Sequence, residues 1–137
     1  MSRLSLSARE RARFDRLLDE VLAELPPEVH ELLEEVPVIV EDEPSAKLLR
    51  EMEMDEDEFL CGLHWGVPLT ERSVESSGHP ENIWLFRGPI VDLAAMEADR
   101  RVPTDEDLRD QVRITLLHEI GHHFGLDEDD LARLGYA

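Results

Sequence analysis

The sequence predicts an α+β domain: a small mixed sheet of about three to four strands with helices packed on one face. Three observations predict it. Apolar residues recur at helical spacing towards both ends of the 137-residue chain. Short β-branched or aromatic runs lie between them. A hydrophobic content of 42% is enough for one modest core, so residues 1–137 read as a single domain.

Ser7 with Glu10 forms a capping box, and Phe14, Leu17, Leu18, Val21, Leu22 and Leu25 follow at helical spacing until Pro26-Pro27 ends the run. A second, short helix starts on Pro27 and carries Val29, Leu32 and Leu33. Val36 to Val40 reads as a strand with Pro37 at its entry. Charge then rises, and residues 43–59 are expected to be a mobile acidic loop with at most one helical turn. Leu60 to Val67 is compatible with a short strand, and Pro68 to Pro80 is loop by its Ser, Gly and Pro content. Asn82 to Arg87 is the third strand, closed by Gly88-Pro89, with a short helix over Ile90 to Ala98. Thr104 caps a long helix whose first turn carries Asp105, Glu106 and Asp107 beside the positive end of its dipole. A terminal helix is expected from Asp127 to Leu134.

Composition narrows the partners. With 14 Lys plus Arg against 33 Asp plus Glu, the formal charge of -19 repels phosphate backbones and anionic membranes, so neither nucleic acid nor membrane is expected. Cys61 is the single cysteine; no intrachain disulfide and no Cys-rich zinc site can form. The first residues lack the apolar core of a signal peptide, and no apolar run is long enough to span a bilayer. A cytoplasmic protein is the expectation.

The chemistry concentrates in His118-Glu119-Ile120-Gly121-His122. Residues four apart share one helix face, so both imidazoles can reach one zinc ion, while Glu119 can take a proton from a water on the open side of the metal. Two histidines leave zinc short of a third protein ligand. Gly125 stands where the helix should end and can adopt the left-handed conformation that turns the chain back. In the pattern HExxHxxGxxH the third ligand follows that glycine by three residues. Here the position is Glu128, with Asp127 and Asp129 as alternatives.

The run from His118 to Asp127 resembles a small bacterial zincin-like family of metallopeptidases with a minimal zincin fold. The likeness extends to Val38 to Pro44, Gly66 to Arg72, Ile83 to Ile90 and Gln111 to Thr115. It implies a metal on His118 and His122, Glu119 as base, and an acidic third ligand just past Gly125, a position where the family normally offers an aspartate. Glu128 departs from that pattern.

These observations point to a zinc-dependent hydrolase of peptide bonds, acting on a peptide or protein with Glu119 as general base. The peptide is expected to add as a strand along Ile83 to Arg87. The rival reading is a non-catalytic acidic interaction module with a structural or vestigial metal site. Hydrolysis of a non-peptide substrate would use the same water chemistry. His123 and Tyr136 are candidates to stabilise an oxyanion, although packing and surface roles are commoner for both. His64, His79 and Cys61 lack a local partner and read as structural, and Trp84, Leu85 and Phe86 as core with one exposed face.

Overall fold

In the computed structural model, residues 6–54, 60–65, 81–125, 127 and 129 are described. Helix α1 spans Ala8–Glu24, and its capping box is closed in both directions: Glu10 N–H donates to Ser7 Oγ and Ser7 N–H to Glu10 Oε1, each at 3.1 Å. Phe14, Leu17, Leu18 and Val21 form its buried stripe. Pro26-Pro27 then forces extended backbone, and α2 (Pro27–Glu35) starts on the second proline.

Strand β1 (Val38–Glu41) runs parallel to β3 (Asn82–Phe86), with Val38 opposite Ile83; β2 (Gly62–Trp65) runs antiparallel to β3, with Gly62 opposite Leu85. The order β1-β3-β2 makes a mixed three-stranded sheet, as the sequence predicts, with β3 in the centre. Alternation along β3 buries Ile83 and Leu85 completely and leaves Trp84 partly exposed on the other face. Phe86 is also buried. Within the acidic stretch after β1 a short helix forms, α3 (Ala46–Glu51), and Ser45 Oγ accepts the N–H of Leu48 at 3.0 Å.

Helix α4 (Arg87–Glu97) begins directly at the end of β3, earlier than the sequence suggests. Gly88-Pro89 opens the helix because proline has no N–H to lose in a first turn. Helix α5 (Asp105–His123) is capped by Thr104, whose hydroxyl accepts Asp107 N–H at 3.1 Å while the Asp107 carboxylate accepts Thr104 N–H at 2.9 Å. Leu108, Val112, Leu116 and Ile120, four apart, point into the core formed with Phe14, Leu17 and Val21 of α1, Ile83 and Leu85 of β3, and Ile90 and Ala94 of α4. Each such side chain contributes about 1.5–3 kcal/mol by leaving water. The helix that carries the motif is thereby held on its inner side by the whole core.

Candidate metal centre

A second stripe of α5, beside the core stripe, carries Thr115, His118, Glu119 and His122. The two imidazoles of His118 and His122 lie with ring centroids 4.6 Å apart at 82°. Ligand atoms of His118, Glu119 and His122 all fall within 4.8 Å of one another. Both histidines are half-buried and Glu119 is buried, the arrangement of a site open on one side. Neutral imidazole nitrogen is a preferred zinc donor, and the donor set fits that ion.

Strand β2 closes the site from the sheet side. A Cβ at Gly62 would stand 3.0 Å from Glu119 Cγ and 3.0 Å from Thr115 Cγ2, so only glycine lets the strand lie this close to α5. Next to it, Cys61 is a half-buried thiol rather than a nucleophile: desolvation, then the charges of Glu119 and Asp92, push its pKa up to about 12.

At the other end, Gly125 has a φ of 78° and its N–H donates to the carbonyl of His122 at 2.9 Å, the left-handed stop expected from the sequence. Asp127 and Asp129 follow the turn and are exposed, whereas Glu128 lies outside the described residues, as do His79 and Tyr136. Most of the expected terminal helix and the Pro68 to Pro80 loop also lie outside them.

His123, read from the sequence as an oxyanion candidate or a surface residue, and His64, read as structural, meet on one buried carboxylate. His123 Nδ1 lies 2.6 Å from Glu81 Oε2, and His64 Nε2 lies 3.1 Å from the same oxygen. The three side chains are only 3, 4 and 6% exposed for His123, His64 and Glu81. One carboxylate oxygen thus holds a ring nitrogen of each histidine within hydrogen-bond distance. These three residues also have the chemistry to ligate a metal. Here hydrogen bonds join them, tying β2, the residue before β3 and the end of α5 together in the interior. His123 is thus turned into the interior, away from a role at an oxyanion. Sequence reasoning missed Glu81 because its partners stand 17 and 42 positions away.

The expected substrate edge at Ile83 to Arg87 is corrected by the sheet order. Strand β3 is hydrogen-bonded on both sides, and Arg87 belongs to α4, so no edge is free there. Among the described residues, β2 is the outer strand on the side of Glu119.

A comparison with curated proteins finds no match. Residues 33–136 match the family described as zincin-like metallopeptidase, a span that includes β1 through α5 and therefore the sheet, His118, Glu119 and His122. With that match over most of its length, and with the paired histidines on a core-anchored helix beside a small mixed sheet, the chain belongs to the zincin-like metallopeptidase family.

Proposed function

We propose that the protein is a zinc-dependent peptidase in which Glu119 is the general base. The observation that carries the reading is a buried carboxylate, Glu119, beside the half-buried imidazoles of His118 and His122, with Glu119 and His118 lining a cleft. His118 and His122 would hold the ion, with Glu128 or a neighbouring aspartate past Gly125 as third ligand. When bound, zinc supplies Lewis acidity towards a peptide carbonyl and acidifies a water. Glu119 accepts the water proton and delivers it to the leaving amine. Its burial keeps competing solvent away from the carboxylate, while β2 offers backbone groups beside which an extended peptide can lie. A single cysteine and the strong negative charge are in keeping with a reducing cytoplasm and a peptide or protein substrate.

Two measurements test this reading. Zinc incubation followed by metal analysis should give one equivalent in the parent and little in His118→Ala, with Glu128→Ala reporting the third ligand. Glu119→Gln should keep the zinc and lose peptide hydrolysis. Equal hydrolysis by parent and Glu119→Gln refutes the assignment.

A further inference from the structure

Beside His118 and Glu119, a cleft of about 320 Å³ opens between β2, α4 and α5. That volume is at the lower end of small-ligand sites, roughly 300 Å³, which suits a side chain rather than a whole cofactor. Its walls are Leu60 and Cys61 before β2, Leu93 on α4, and Gln111, Ile114 and Thr115 on α5. The last three sit one and two helical turns before the His118-Glu119 pair, so cleft and base share one face of the helix. Ile114 is 37% exposed, an isoleucine left in water on a helix whose other apolar residues are mostly covered. The cleft continues into a second depression of about 390 Å³ along α4 and α5 that shares Leu93, Gln111 and Ile114. Leu93 and Ile114 therefore form an apolar sill between the site and a longer groove.

We propose that this cleft is the subsite that selects the substrate, receiving an uncharged apolar side chain next to the scissile bond, with Leu93 and Ile114 setting the preference. The inference rests on the peptidase reading, and it names the substrate class as peptides carrying a Leu-like residue at that position. Continuity with Glu119 fixes the occupant as the segment being cleaved. Charge disfavours an acidic occupant: among the described residues no Lys or Arg lines the cleft, while the Glu119 carboxylate does.

The test uses zinc-loaded Glu119→Gln protein, which holds peptides without cutting them, and decapeptide pools randomised except for one fixed Leu, Lys or Asp. The Leu pool should bind about tenfold tighter than the Asp pool, the discrimination expected for burying one aliphatic side chain. The Leu93 and Ile114 methyl signals should shift when it binds. Ile114→Asp, at an exposed position and with its fold checked by circular dichroism, should erase the Leu preference and favour the Lys pool. Equal binding of the three pools, absence of binding at millimolar peptide, or an unchanged ranking in Ile114→Asp overturns the proposal. Hydrolysis by the zinc-loaded parent is read separately: Leu-selective binding without turnover sinks the peptidase reading and leaves the cleft an apolar peptide site.

Discussion

Glu81 Oε2 and His123 Nδ1 stand 2.6 Å apart in the interior, joining the residue before β3 to the last residue of α5. The contact fixes the helix end immediately after His122. Glu81→Ala would take this partner from two buried imidazole nitrogens. A loss of about 2–3 kcal/mol is expected in urea unfolding, from desolvation without compensation. Glu81→Gln, which keeps an acceptor oxygen, should lose less.

Gly62 makes a second non-local demand. Any side chain there meets Glu119 Cγ, Thr115 Cγ2 and the backbone oxygen of Trp84 at 3.0 to 3.1 Å. Because one of these is backbone of the central strand, β2 must move away from α5. Gly62→Val should destabilise by about 1–3 kcal/mol. It should also depress peptide hydrolysis beyond what the melting temperature explains, since the displaced strand borders the base. Unchanged kcat/KM per folded molecule would show that β2 does not set the position of Glu119.

Arg87 ties three elements together at the start of α4. It donates to both oxygens of Asp15 on α1, at 2.9 and 3.0 Å, and to Asp42 after β1 at 3.0 Å. Arg11 adds a 2.7 Å bond to the other oxygen of Asp42. Burial works to raise the Asp42 carboxyl, but the hydrogen bonds and charges of Arg11 and Arg87 outweigh it and hold the group below its ordinary 3.8. A depressed carboxyl contributes stability that is complete above its unfolded value and is lost as pH falls through the folded one. Melting temperature should therefore drop below about pH 4, with Asp105 and Asp107 adding to the same limb through their partners. Arg87→Ala should cost about 1–2 kcal/mol at neutral pH, screened because Asp15 is half exposed, and should flatten that acid limb. Arg87→Lys should rescue only part of it, because an ammonium cannot pair with Asp15 at two points.

Cys61 provides a chemical reading of the cleft. With its pKa pushed up to about 12 by burial and by the nearby Glu119 and Asp92 charges, the thiol stays protonated at neutral pH. Iodoacetamide should modify folded protein far more slowly than unfolded protein at pH 8. Removing the Glu119 charge in Glu119→Gln should speed the reaction, and equal rates in the two proteins would place Glu119 away from the thiol.

What the sequence determined by itself was local. The capping boxes Ser7-Glu10 and Thr104-Asp107, the proline start of α2, the glycine stop at Gly125 and the shared face of His118 and His122 all depend on residues within a few positions of one another. Helical geometry turns that spacing directly into structure, so the helix caps and the shared histidine face could be read from the chain. Tertiary structure decided everything that depends on which distant segments meet. Strand order is one such matter: the alternation in Asn82–Phe86 is the same for a central and an edge strand, and only pairing with both β1 and β2 removed it as a place for substrate. The short apolar pattern of residues 46–51 was too weak against its charge to announce α3, which Ser45 caps. The triad of His64, Glu81 and His123 had no spacing to betray it, because its members come from β2, the residue before β3 and the end of α5, which only the packed sheet and helix bring to 2.6 and 3.1 Å. Burial then gives those hydrogen bonds their weight, since a polar group removed from water loses more when a partner is taken away.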